Sequence, residues 1–140
     1  MARSYAAIEI LKSVDEVFEY VTTPGNWPQW HPSSLGVTGA TDHSLEVGEQ
    51  CVEEYLVASR QGKTTWTVRE REAPRLWVIE ADINDGIVSY ILTPQGEHTF
   101  FERVFTYTVA SPSLDRELLW RRVDDESRRA LEQLKQVLEQ

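Results

Sequence analysis

The 140-residue sequence predicts an α+β domain: a curved antiparallel β-sheet wrapped around a long C-terminal α-helix, with two short helices after the first strand. Three patterns carry this reading. A strand-like run near the N-terminus leads into a capped amphipathic helix. From Gln50 to Val109 the apolar period is two, broken by short turns. The C-terminal residues carry one long apolar stripe at helical spacing.

Residues 4–11 read as the first strand, with Tyr5, Ala7, Glu9 and Leu11 opposite Ala6, Ile8 and Ile10. Ser13 is a helix N-cap, and Glu16 completes a capping box. Val14, Val17, Phe18 and Val21 form the apolar face of that helix. Thr22-Thr23-Pro24-Gly25 ends it, and Asn26 to Trp30 makes one more helical turn before His31-Pro32. Residues 33–48 are rich in Ser, Gly and Thr, with a short strand near Leu35–Thr38.

Five strands follow: 50–59, 64–72, 76–83, 87–93 and 98–109. The turns are Arg60–Lys63, Ala73-Pro74-Arg75, the hairpin signal Asn84-Asp85-Gly86, and Pro94-Gln95-Gly96. Short connections make an antiparallel meander the simplest topology. Ser113 is the expected cap of the last helix. Its stripe runs from Leu119 or Trp120 through Val123, Ser127, Ala130 and Leu134 to Val137. A stripe of that length must lie against something, and the sheet is the available partner.

Alternation assigns faces. On the strand at 64–72, Thr65, Thr67, Arg69 and Arg71 form a wet face, so Trp66, Val68 and Glu70 point inward. Trp77, Ile79, Ala81 and Ile83 form the apolar face of the next strand. Phe101, Phe105, Tyr107 and Val109 form that of the last, which places Arg103 among them. On 50–59 the set with Cys51, Glu53, Tyr55 and Val57 and the set with Val52, Glu54, Leu56 and Ala58 are equally plausible. The strand at 87–93 is apolar on both faces, leaving Tyr90 unoriented.

The order of these pieces resembles the SRPBCC (START-like, polyketide cyclase/dehydrase and lipid-transport) superfamily. The residues that carry the resemblance are Val14-x-x-Val17-Phe18-x-x-Val21, Trp27-Pro28-x-Trp30-His31-Pro32, Gly48-Glu49, Val68 to Leu76, Gly96 to Thr99, and Ala130 to Lys135. The resemblance covers nearly the whole chain as one domain, 1–140. It implies the helix-grip fold, with a deep internal apolar cavity between sheet and helix. In that frame Trp27, Trp30 and His31 cap one end and Phe18 lies beneath them. Trp120 and Val123 form the helix wall. Tyr55, Trp66, Val68, Glu70, Trp77, Ile79, Phe101, Arg103 and Phe105 line the sheet side. For each aromatic, core packing competes with a lining role. Arg103 needs a partner if it is buried: a structural pair with Glu70 or Glu53, or the carboxylate or phenol of a ligand.

Composition sets outer bounds. The net charge of −9 disfavours sequence-independent nucleic-acid binding and attraction to anionic membranes. No run approaches the roughly 20 apolar residues of a membrane span. The first residues lack the apolar core of a signal peptide. The single Cys51 permits no intrachain disulfide, so a reducing cytoplasm is the plain expectation. No phosphate loop or metal-ligand spacing is present: His31, His43 and His98 lie in separate segments. No cofactor or metal is expected.

Three functions fit. The first is binding of a small hydrophobic molecule, aromatic, polyketide-like or lipid-like, in the cavity. The second is a cofactor-independent cyclase, aromatase or dehydratase, with His31 as the catalytic candidate for proton transfer. The third is a co-chaperone-like protein-interaction module with a filled core. A homodimer is compatible with each.

Overall fold

The computed structural model describes residues 1–57, 59–108 and 116–140. The expected caps and patterns produce β1 (Ala2–Ile10), α1 (Val14–Val21), a 3-10 turn (Pro24–Asn26), α2 (Trp27–Trp30) and β2 (Ser34–Gly39). The meander is β3 (Gln50–Val57), β4 (Arg60–Glu72), β5 (Leu76–Ala81), β6 (Ile87–Gln95) and β7 (His98–Tyr107). It ends in α3 (Arg116–Leu138). The expected positions Ala58, Val109 and Ser113 lie outside the described residues. No helix among the described residues is long and apolar enough to cross a membrane.

All seven strands join one antiparallel sheet in the order β1-β7-β6-β5-β4-β3-β2. The chain thus closes its last strand back onto its first. The helix α3 runs along β1 in the same sense, held by a ladder of polar contacts. Trp120 Nε1 donates to the Arg3 carbonyl at 2.8 Å, and Lys135 Nζ to the Glu9 carbonyl at 2.8 Å. The Leu11 N–H donates to Glu139 at 2.8 Å. On its inner side α3 buries Val123, Ser127, Ala130, Leu131 and Leu134.

One half of the interior is solidly packed. There α1 packs on β6 and β7, and its Val17, Phe18 and Val21 share one buried cluster with Ile10, Leu92, Phe101, Ala130 and Leu134. The loop before β3 closes the same half. Leu45 is buried, its N–H donates to the Thr22 carbonyl at 3.1 Å, and its carbonyl accepts from Trp77 Nε1 at 3.0 Å.

Several expectations change. Residues 60–63 are strand, paired with Glu54 to Val57, and the reversal is tighter than the sequence implied, with Ser59 at φ 67°. Across this pairing Gly62 makes room for the Tyr55 side chain. A Cβ there would stand 2.5 Å from the Tyr55 hydroxyl, so the tyrosine ring lies across the glycine. At the Asn84-Asp85-Gly86 reversal, Asn84 and Asp85 both adopt positive φ, as the hairpin signal requires. Strand β4 carries a bulge between Val68 and Glu70. One extra residue reverses the alternation beyond it. Glu70 is therefore exposed rather than inward. Arg71 turns in, stacks over the Phe18 ring at 5.3 Å and donates to Ser44 at 3.2 Å.

Candidate functional site

The other half of the interior is hollow. A cavity of about 240 Å³ lies between the sheet and the first turns of α3. The helix supplies Leu119, Val123, Glu126 and Ser127, and the sheet supplies an apolar wall of Trp66, Ile79, Val88 and Phe105. Trp27 closes the inner end. The exposed residues Arg60, Ile83 and Asn84 mark the mouth. On α3 the packed half begins beyond Ser127, with Ala130, Leu131 and Leu134.

The ambiguous strands resolve. On β3 the Cys51, Glu53, Tyr55 and Val57 face is the inner one, and Glu53, Tyr55 and Val57 line the cavity. On β6 Val88, Tyr90 and Leu92 face inward, and Tyr90 lies directly across from Arg103 in the strand register.

Of the sequence candidates, Trp27, His31, Tyr55, Trp66, Ile79, Arg103, Phe105 and Val123 line the cavity together. Phe18, Val68 and Phe101 sit in the packed core instead. Trp30 and Trp77 are buried beside the cavity, with ring centroids 6.2 and 5.5 Å from that of Tyr90. Glu70 is outside, for the reason given. Trp120 is 39% exposed, because its indole N–H reaches the β1 backbone and leaves Leu119 as the wall residue. Sequence reasoning left out Tyr90, Val88, Ser33, Thr64, Glu126 and the lining role of Ser127. For Glu126 and Ser127 the signal was present, since they follow Val123 by three and four residues on the same helix face.

Polar groups gather at the inner end. Trp66 Nε1 donates to Glu53 at 3.0 Å. Burial pushes the Glu53 carboxyl above its ordinary range, against the pull of the Trp66 and Ser34 hydrogen bonds and the Arg103 charge. Burial pushes the Tyr90 phenol up to about 12, with the Arg103 charge pulling the other way. Arg103 is 8% exposed, donates from Nη1 to Ser127 Oγ at 2.9 Å, and lies 5.5 Å from the Phe105 ring.

His31 follows α2 and is held by its own turn. The Ser33 N–H donates to Nδ1 at 3.2 Å. That bond places the imidazole proton on Nε2. Burial first, and the Arg103 charge second, hold the imidazole well below its usual pKa. At neutral pH His31 is therefore an uncharged ring with one N–H to offer. Ser33 Oγ in turn donates to Glu126 at 2.9 Å, tying this turn to α3. Cys51, beneath the cavity floor, is buried and has its thiol pushed up to about 12, which leaves it inert as a nucleophile. No cluster of metal-ligating side chains occurs among the described residues.

Comparison with solved structures finds this fold repeatedly. The protein TTHA0849 from Thermus thermophilus superposes with a TM-score of 0.78 at 14% identity, over 96% of this chain and 94% of that one. A START superfamily protein from Mycobacterium smegmatis gives 0.79 at 12% identity, over 99% and 98%. The Aha1 dimer from Colwellia psychrerythraea gives 0.71 at 16%, over 99% and 97%. At these identities the likeness is one of fold. No curated protein matches the chain. The family described as polyketide cyclase / dehydrase and lipid transport matches residues 1–139, and the chain belongs to that family.

Proposed function

We propose that the protein binds a small, largely apolar molecule in the sheet–helix cavity. The observation that carries this reading is the cavity itself: about 240 Å³, apolar along its walls, with a few polar groups converging at its inner end. Its volume falls below the roughly 300–1,000 Å³ of sites that take drug-sized ligands. An occupant of one or two rings, or a short acyl chain, suits it. A void of this kind weighs for a ligand and against a filled-core interaction module.

The test is a titration with naphthalene, a neutral two-ring probe, followed by methyl and aromatic NMR. Saturable shifts confined to Ile79, Val88, Phe105 and Val123 are expected. An absence of saturable shifts there removes the reading.

A second reading, a cofactor-independent enzyme acting on a polyketide-like substrate, is favoured by one observation. Glu53 is a carboxyl raised by burial, set in the same cavity as Tyr90 and Arg103. A carboxyl raised by burial is a stronger candidate for proton transfer than His31, whose basicity is suppressed. On this reading Glu53→Gln abolishes turnover of a cyclisable substrate while naphthalene still binds. Unchanged turnover in that variant takes Glu53 out of the chemistry.

A further inference from the structure

The hydrogen-bond accounts of the cavity do not balance, and the imbalance has a sign. Its two carboxylates and Ser127 are engaged within the protein: Glu53 accepts from Trp66, Glu126 accepts from Ser33, and Ser127 Oγ accepts from Arg103. Its strongest donors are not fully used. Arg103 Nε–H is buried and has no partner. His31 holds its proton on Nε2, since Nδ1 is taken by the Ser33 N–H. Among the described residues no carboxylate stands in ion-pair contact with Arg103. The expected Arg–Glu pair does not form: Glu70 is on the outer face, and Glu53 is turned to the Trp66 indole.

A buried guanidinium with no ion-paired carboxylate is costly, and the Phe105 ring, the Ser127 hydroxyl and the neighbouring Tyr90 phenol offset only part of that cost. The missing component is an anionic oxygen acceptor. Guanidinium forks match carboxylates in geometry, and charge-assisted bonds of this kind are about twice as strong as neutral ones.

We infer that the cavity selects a one- or two-ring apolar carboxylic acid, bound as its carboxylate against Arg103 with His31 Nε2–H as the second donor. The ring body lies along Ile79, Val88 and Phe105. This inference rests on the hydrophobic-ligand reading and adds the charge and orientation of the ligand. Arg103 sits at the inner end of the apolar wall and Arg60 at the mouth, so the acid enters head first.

The test uses three matched probes on the full chain: 2-naphthoate, 2-naphthamide and naphthalene, each titrated by NMR or calorimetry. The expected order is naphthoate tightest, then naphthamide, then naphthalene, with naphthoate at least about tenfold tighter than naphthalene. In Arg103→Lys, which keeps the charge but loses the Nε–H and the fork, the preference for naphthoate over naphthalene falls to within about threefold. His31→Phe keeps a ring and removes the second donor. It lowers naphthoate affinity selectively, and it carries the test if Arg103→Lys does not fold. Naphthoate no tighter than naphthalene on the unmodified protein overturns the inference and leaves the hydrophobic-ligand reading standing. A naphthoate preference undiminished in both variants also overturns it. Binding of none of the three probes removes both.

Discussion

The two halves of the interior are built on the same strands and the same helix, yet one is full and the other hollow. Along β7 the inward residues are Thr99 and Phe101 in the full half, then Arg103, Phe105 and Tyr107 in the hollow one. Along α3 they are Ala130, Leu131 and Leu134, against Leu119, Val123 and Ser127. The difference lies in what covers the sheet. The full half receives a second layer: α1 and the loop carrying Leu45 bring Val17, Phe18, Val21 and Leu45 onto the strands. The hollow half is covered by the first turns of α3 and by the Trp27–Ser33 segment at its inner end, and no second layer fills the space beneath them. A cavity in this fold therefore needs no special device. It is the space left where a curved sheet outruns its cover, and it persists because Trp27, Trp66 and Tyr90 are too large and too well anchored to collapse into it.

The comparison predicts unequal costs for equal truncations. Phe101→Ala in the full half removes a side chain with no exposed surface and leaves a new void. A loss of about 3–5 kcal/mol is expected in urea unfolding. Phe105→Ala, two inward steps along the same strand, enlarges a space that already exists. Its expected cost is less than about 2 kcal/mol. Equal costs would mean the two halves are equally packed and would break the comparison.

Filling acts in the opposite sense. Overpacking a native core usually costs about 1–3 kcal/mol. Val123→Phe points into empty space, so its stability is expected to stay within about 1 kcal/mol of the parent. Naphthalene affinity should fall at least about tenfold as the space is taken. A large destabilisation would show that the wall at Val123 has no room. Retained affinity would place the ligand elsewhere.

The halves also differ in how much of them was legible in the sequence. The full half was legible from periodicity: the α1 face and the inward residues Trp77 and Phe101 follow from spacing alone. Much of the hollow half was legible too, since alternation placed Trp66, Ile79, Arg103 and Phe105 correctly. What failed depended on contacts distant in sequence. The bulge that turns Glu70 out arises where β4 must keep pairing with β5 across Val68, Ile79 and Val78. The phase of α3 at Leu119 and Trp120 is decided by the Arg3 carbonyl, which takes the Trp120 indole. Tyr90 and Glu53 lie on strands whose two faces carry similar residues, so only the neighbouring strands orient them. Residue-level alternation reads a face well until an extra residue or a remote hydrogen bond resets it.

Acid should separate the halves through His31. Its pKa in the folded protein is held well below the ordinary 6.5. Below 6.5 the unfolded chain takes up a proton that the folded chain refuses, so stability falls as pH drops from about 6.5 toward the folded pKa. Glu53 acts in the other direction. Its raised carboxyl holds a proton that the unfolded chain has released, so its penalty grows as pH rises above the ordinary 4.5. His31→Gln is expected to flatten the slope of stability between about pH 6.5 and 5.5, read from urea midpoints. An unchanged slope would mean that His31 is protonated freely in the folded state.

The smallest expected effect lies on the loop that closes the full half. His43 is exposed and gripped by two carboxylates, with Nδ1 2.8 Å from Asp42 and Nε2 2.8 Å from Glu49. The Asp42 and Glu49 hydrogen bonds raise its pKa above 6.5, the reverse of His31. A raised pKa in the folded state stabilises below the unfolded value, and the benefit disappears as pH rises through the folded one. His43→Gln should therefore cost stability at about pH 5.5 and nothing at about pH 9, and added salt should shrink the difference, because the pair is solvent-screened. The two histidines then titrate with opposite signs in one protein. An acid-side loss in His43→Gln that salt leaves intact would mean the grip works by packing the loop over Leu45 rather than by charge. In that case the cover of the full half would be held by shape alone.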